Sequence, residues 1–230
     1  MNSHDKVEAL RPKSIVYFDN ITSDHTDHAK ELSDKKSMGN KVLGTFCIYV
    51  PEEIALAAGA MTIALCGGTQ ISIPHAESIF PRDICPLIKS TLGLLFGEMC
   101  PYFPIVDMAV GETTCDGKKK AWEALTSLKP VYVMEVPHKK ERIDKQLWLE
   151  EVKLFKEKME ELSGKTITFE NLMKSVKVIN RKRQVLAEMH GFRKNFVIPI
   201  SGKDALLVTQ AALFDDPERF ILKAGILTKN

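Results

Sequence analysis

No stretch of this 230-residue chain carries the roughly 18 consecutive apolar residues that a membrane helix needs. The opening segment, MNSHDKVEALRPK, has none of the apolar core of a signal peptide, so a cytoplasmic protein is the expectation. Charge of one sign is also missing: 32 Lys and Arg stand against 30 Asp and Glu, for a net charge of +2. The two signs interleave along the chain, which excludes the basic arm or stripe of a nucleic-acid binder. Gly67-Gly68 is no dinucleotide fingerprint, because no G-x-G-x-x-G opens a helix there, and no P-loop occurs. No internal repeat is evident.

Cysteine is absent from the whole second half of the chain. All five, at 47, 66, 85, 100 and 115, fall within 69 residues. An odd number without an export signal argues against a disulfide framework. The cluster therefore means buried small residues, reactive thiols or thiolate metal ligands.

What is present is a 44% apolar, 27% charged chain that alternates short apolar runs with amphipathic segments. KVLGTFCIY (41–49) reads as a buried strand, and Pro51-Glu52-Glu53 open a short helix through Ala60. MTIALC (61–66), PIVDMAV (104–110) and VYVMEVP (131–137) read as further strands. Helices are expected over 85–97 and 115–128. Short apolar strands alternating with helices are the sequence form of parallel β-α-β units. The expected class is α/β: a Rossmann-like, flavodoxin-like parallel sheet layer over residues 41–139, followed by a helical segment over 140–230. Residues 1–40 form a helical and loop lead-in. Within 140–162 the apolar positions include Ile143, Leu147, Leu149, Val152 and Phe155; the next helix, from about Thr168, repeats Leu172, Val176, Ile179, Val185 and Leu186. A third helix is expected from Ser201 or Asp204 to Phe214, and the tail beyond it has no obvious strand partner.

In such a layer, ligands gather outside the carboxyl ends of the strands. Cys47 and Cys66 lie near two strand ends, Cys115 follows a third, Cys85 begins a helix and Cys100 occupies the loop after it. A helix N-terminus stabilises a thiolate through its unpaired N–H groups. Successive gaps of 19, 19, 15 and 15 residues lack the tight C-x2-4-C pairs of structural zinc sites. They require tertiary convergence and suit a cluster set into a domain, although iron–sulfur ligation also often uses tight motifs.

The runs GTFCIYVPEEIALAAGAMTIALCGG, PRDICPLIKSTLG and CPYFPIVDMAVGETTCDGKKKAWEAL resemble the 2-hydroxyacyl-CoA dehydratase and benzoyl-CoA reductase family, most of all its double-cubane-cluster branch. The likeness spans about residues 15–220, and GETTCDGKKK is its most specific segment. It implies Rossmann-like domains that hold low-potential iron–sulfur clusters, either [4Fe-4S] or the double-cubane [8Fe-9S] form. It implies electrons from a separate ATP-hydrolysing iron–sulfur activator, and a small-molecule or acyl-CoA substrate. Cys85 and Cys115 match the family's cluster ligands, Cys47 comes next, and Cys66 and Cys100 match cysteines of the double-cubane branch or are ordinary buried thiols. Only the N-terminal half of the family pattern is present. A second half or subunit is expected to supply further ligands in a homo- or heterodimer. The readings are an iron–sulfur reductase component, a dehydratase subunit acting through a ketyl radical, or a non-catalytic half-subunit.

Other candidates carry double readings. Glu52 and Glu53 are acid–base candidates or helix-dipole charges. Lys89 and Ser90 are placed to bond cluster sulfides or substrate. Asp116 reads as a helix cap. Lys118, Lys119 and Lys120 form either a docking face for the activator or a solvated helix face. His75 and His138 are isolated loop residues.

Overall fold

Pro86 inside a helix start, Gly59 and Gly164 at helix ends, and apolar pentads between them set the order of elements. The computed structural model describes residues 11–194 and 200–227. After a short 3-10 turn (Lys13–Ile15) come α1 (Val16–Ser23), α2 (Thr26–Ser37), β1 (Lys41–Thr45), α3 (Glu52–Ala57), β2 (Ala60–Ala64), α4 (Ile73–Glu77) and α5 (Pro86–Phe96). They are followed by β3 (Met108–Glu112), α6 (Asp116–Leu125), β4 (Val131–Met134), α7 (Arg142–Ser163), α8 (Phe169–Phe192), α9 (Gly202–Ala211) and α10 (Pro217–Leu227). Residues 1–10 and 228–230, part of the expected lead-in and tail, lie outside the described residues. Among the described residues, no helix is long and apolar enough to cross a membrane.

The four strands form one parallel sheet in the order β2-β1-β3-β4. This is the expected α/β layer. The chain begins in the middle, moves out to β2, and crosses back over β1 to β3. The reversal between β1 and β3 is a topological switch point, where the carboxyl ends open a crevice. All five β3 residues are buried, as are four of five in β1, whereas β2 and β4 form the less buried edges.

The described residues divide into two compact units, one within 29–172 and a second within 1–28 and 173–230. In the sheet-bearing unit, Leu43, Val110 and Met134 pack with Phe155, Met159 and Ile167. The buried stripe of α7 is Trp148, Val152, Phe155, Met159 and Leu162, at spacings of three and four. Ile143, Leu147 and Leu149, also apolar positions of this helix, are 59%, 54% and 52% exposed. They lie around the helix from that stripe. In the other unit, Phe18, Val185, Met189, Val208 and Phe220 form a separate core. Burial of each such side chain contributes roughly 1.5–3 kcal/mol.

Several boundaries differ from the sequence reading. β1 stops at Thr45 because Cys47 turns into the left-handed region, with φ at 58°. The helix after Pro51 ends at Ala57, and Ala60 already belongs to β2. β3 begins at Met108 rather than at Pro104. The preceding carbonyls bond elsewhere: Lys129 Nζ donates to Pro104 O (3.1 Å) and Val106 O (3.0 Å), and Lys36 Nζ to Ile105 O (2.6 Å). Cys115 therefore follows its strand by three residues rather than five. The tail after Phe214 forms α10, whose first-turn N–H groups of Glu218 and Arg219 both donate to Asp216 Oδ1 at 3.1 Å.

Candidate metal centre at the carboxyl edge of the sheet

The segment GETTCDGKKK turns β3 into α6, and each early residue has a traceable contact. Gly111 accepts the indole of Trp122, where a Cβ would stand 2.5 Å from the ring. Trp122 Nε1 donates to Glu112 O (2.8 Å) and packs on Phe46 with ring centroids 4.6 Å apart. Thr113 Oγ1 donates to Glu135 Oε2 and accepts Val136 N–H, both at 3.0 Å, tying the end of β4. Thr114 N–H donates to Glu112 Oε2 (2.9 Å). Cys115 is the N-cap of α6, without a side-chain capping bond, and Asp116 is the first helical residue. The expected Asp116 cap is thus displaced by one position, and its carboxylate is fully exposed beside Lys119.

The lysine run divides. Lys119 and Lys120 face outward, paired with Asp116 and Glu123. Lys118 points inward and donates to Cys47 Sγ (2.9 Å), to Thr114 Oγ1 (3.1 Å) and to Glu112 Oε1. The Glu112 side chain is completely buried. Burial pushes its pKa up, but the bonds from Lys118 and Thr114 more than offset this and hold it below the ordinary glutamate range. Burial likewise opposes the charge on Lys118, and its bonds to Cys47 and Glu112 hold its pKa above that of a free lysine.

Cys47 and Cys66 both line a small, open pocket, whose wall includes Phe46, Ile88, Lys118 and Trp122. Desolvation by neighbouring protein atoms raises the Cys66 thiol, an effect that the Cys47 backbone N–H partly offsets. The loop after β2 is pressed on α5. Gly67 N–H donates to Thr91 Oγ1 and Thr69 N–H to Ser90 Oγ, both at 2.9 Å. A Cβ on Gly67 would lie 2.9 Å from backbone atoms of Ser90 and Thr91, so only glycine admits this approach.

Cys85 is the N-cap of α5, with Pro86 at the first helical position. Leu87 and Ile88, in the first turn of that helix, line the same pocket. Gly117, in the first turn of α6, lies so close to Ile88 that a Cβ would stand 2.7 Å from its terminal carbon. Two helix N-termini, each headed by a cysteine, therefore stand side by side next to Cys47 and Cys66. All four residues are exposed, and all five cysteines are free thiols.

Cys100 is placed differently. It follows the C-terminus of α5, and eleven helical residues rise about 16 Å from the Cys85 end. The segment after it approaches the amino edge, where the Asp107 carboxylate accepts Val42 N–H (2.8 Å). Desolvation raises the Cys100 thiol, an effect that the Tyr102 and Phe103 N–H groups partly offset.

Lys89 and Ser90 are buried in structural bonds. Lys89 Nζ donates to Glu77 Oε1 (2.9 Å) and Arg82 O (2.7 Å), and Ser90 Oγ donates to Thr69 O (2.7 Å). Glu53 lies in the first turn of α3, half-buried. Among the described residues, no three His, Cys, Asp or Glu side chains converge on a single-ion site. Glu112 and the inward turn of Lys118 escape a reading of the sequence. The available signal is position: Lys118 stands three residues after Cys115, on the same helix face.

Residues 47–229 match the family described as 2-hydroxyglutaryl-CoA dehydratase, D-component. The chain is 38% identical over 197 residues, 85% of its length, to the Escherichia coli (strain K12) protein named "Putative dehydratase subunit YjiM", of which the match covers 51%. It is 26% identical over 178 residues to a benzoyl-CoA reductase subunit from Thauera aromatica, covering 75% of this chain and 45% of the relative. It is 28% identical over 153 residues to the (R)-phenyllactyl-CoA dehydratase beta subunit of Clostridium sporogenes, covering 64% and 40%. The chain spans about half the length of these curated relatives. With the matched region beginning at Cys47 and containing the whole carboxyl-edge constellation, the chain belongs to the 2-hydroxyglutaryl-CoA dehydratase D-component family.

Proposed function

We propose that this chain is an iron–sulfur component of a low-potential reductase of double-cubane type, with Cys47, Cys66, Cys85 and Cys115 as its cluster thiolates. The observation that carries the reading is the placement of four exposed, unbridged cysteines around the β1/β3 crevice and the adjoining helix ends. The donor set is all sulfur, which suits soft or borderline metals and iron–sulfur clusters rather than hard cations. A mononuclear ion needs its donors around one point, and none is drawn together so tightly. A cluster spreads its thiolates over several irons, so a wider perimeter fits it better. The N-termini of α5 and α6 and the ammonium of Lys118 oppose the negative charge that thiolates and sulfides bring.

When bound, the cluster supplies one-electron chemistry at low potential. The chain's own residues do the rest: Phe46 and Trp122 form an apolar wall, Ile88 and Leu87 line the same pocket, and Lys118 holds Cys47. Electrons come from a separate ATP-hydrolysing activator, consistent with the lack of a P-loop here. Further ligands come from a second half or subunit, in a homo- or heterodimer. A single [4Fe-4S] cluster also takes four thiolates; the double-cubane [8Fe-9S] form is preferred because Cys66, one of the four, matches a cysteine of the double-cubane branch. A reducing, cytoplasmic setting accords with five free cysteines. Cys100 is left out of the ligand set because it stands beyond the far end of α5.

The relatives named as dehydratase and benzoyl-CoA reductase subunits favour a second reading, a subunit acting on a 2-hydroxyacyl-CoA ester. Anaerobic reconstitution with iron and sulfide, followed by iron and acid-labile sulfide assay and EPR, tests the cluster. Binding of a CoA ester by the assembled complex separates the two readings. A colourless, iron-free protein after reconstitution with its second half contradicts both.

A further inference from the structure

Ligation of a cluster by cysteines needs no lysine, yet one is built into this site with care. Lys118 is the only member of its run that turns inward, and it reaches across to a thiol 71 residues away in sequence. Its ammonium is held from beneath by a carboxylate with no exposed side-chain surface, and from the side by Thr114 Oγ1. Glu112 is itself fixed, because its other oxygen accepts Thr114 N–H. At the far end of the bond, Cys47 adopts a left-handed backbone conformation that a side-chain-bearing residue seldom takes without compensating contacts. The compensation is visible: its sulfur accepts Lys118. An ammonium that served only to neutralise Glu112 would have no need of the sulfur.

We infer that Lys118 is a positioning residue: braced by Glu112 and Thr114, it fixes the Cys47 thiol at the pocket and, on the iron–sulfur reading proposed above, makes the bound cluster easier to reduce. Reduction adds negative charge to the cluster, and an N–H···S bond from a cation stabilises that added charge more than the oxidised state. Hydrogen bonds to ligating sulfurs are an established determinant of cluster potential.

The test compares wild type with Lys118→Arg and with the double variant Glu112→Gln/Lys118→Met, which leaves no unpaired buried carboxylate and is checked for folding by circular dichroism. In the metal-free chain, amide exchange over residues 46–49 accelerates at least tenfold in the double variant. It stays within twofold of wild type in Lys118→Arg, while β1 and β3 are unchanged. In reconstituted protein, dye-mediated EPR titration gives a midpoint more negative by a tenfold change in equilibrium constant, about 59 mV for one electron, at equal iron content. Lys118→Arg restores most of it. Unchanged exchange overturns the positioning role, and an unchanged midpoint at equal iron content overturns the tuning. Failure of wild type to take up iron and sulfide overturns the cluster reading instead, and the exchange result still decides whether Lys118 positions Cys47.

Discussion

Lys118 Nζ donates a 2.9 Å hydrogen bond to Cys47 Sγ, joining the first turn of α6 to the loop that leaves β1. The bond spans the β1/β3 switch point, where a doubly wound sheet opens to ligands. It also sits on a buried ion pair, so the site and the stability of the sheet share one contact. Lys118→Met leaves the Glu112 carboxylate buried with no cation and lowers stability by about 3 kcal/mol. Urea unfolding measures this as a lower midpoint at unchanged slope. A double-mutant cycle with Glu112→Gln gives a coupling energy of about 1–3 kcal/mol.

Lys89 tests a different allocation of roles. Its side chain is 10% exposed, and the ammonium ties α5 to Glu77 and to the Arg82 carbonyl. Lys89→Met lowers stability by about 1–2 kcal/mol. Iron content of the reconstituted protein is unchanged, by chemical iron assay. Loss of iron at unchanged stability would place Lys89 at the cluster instead.

The contact of Gly67 with α5 is similarly open to test. Gly67→Ala forces a Cβ to within 2.9 Å of Ser90 and Thr91 backbone atoms, which cannot move as a side-chain end can. The expected cost is about 2 kcal/mol, read by thermal or urea unfolding. Cys66, one residue earlier, shifts with the loop.

The separate core unit carries its own acid sensitivity. Arg11 donates twice to Asp204 Oδ1 (2.9 and 2.6 Å), and Ser201 Oγ donates to Oδ2 (2.8 Å). Burial pushes the Asp204 carboxyl up, but these bonds more than offset it, so its folded pKa lies below 3.8. The stabilisation is therefore complete above that value and is lost as pH falls from it through the lower folded pKa. Melting temperature measured from pH 6 to pH 2.5 declines across this window, and Asp204→Asn lowers it at pH 6 and flattens the decline.

The strands and the helices after Cys85 and Cys115 are legible in the sequence because apolar runs are punctuated by Pro86, Gly59 and Pro137, and because Cys115 opens a helix-period segment. Strand ends are not. Phe46 is as buried as a strand residue, although the backbone has already turned, and Pro104 to Val106 satisfy their carbonyls with lysines instead of a neighbouring strand. The buried face of α7 is hidden because its apolar residues are too many for one stripe, and only packing selects Trp148, Phe155 and Met159. The cysteine set is readable from position along the strands and helices. Its separation into four at one edge and Cys100 at the other follows from the length of α5. The Glu112, Lys118 and Cys47 contact is tertiary, so a run of three lysines gives no sign of which one turns in.

On the proposed function, four thiols at the carboxyl edge hold an iron–sulfur cluster and Cys100 does not. Iron and acid-labile sulfide per chain, measured after anaerobic reconstitution with the second half for wild type and five single Cys→Ser variants, test it most directly. A sharp loss is expected on replacing Cys47, Cys66, Cys85 or Cys115, and wild-type content on replacing Cys100. Equal content in all five variants, or a loss confined to Cys100→Ser, would contradict it.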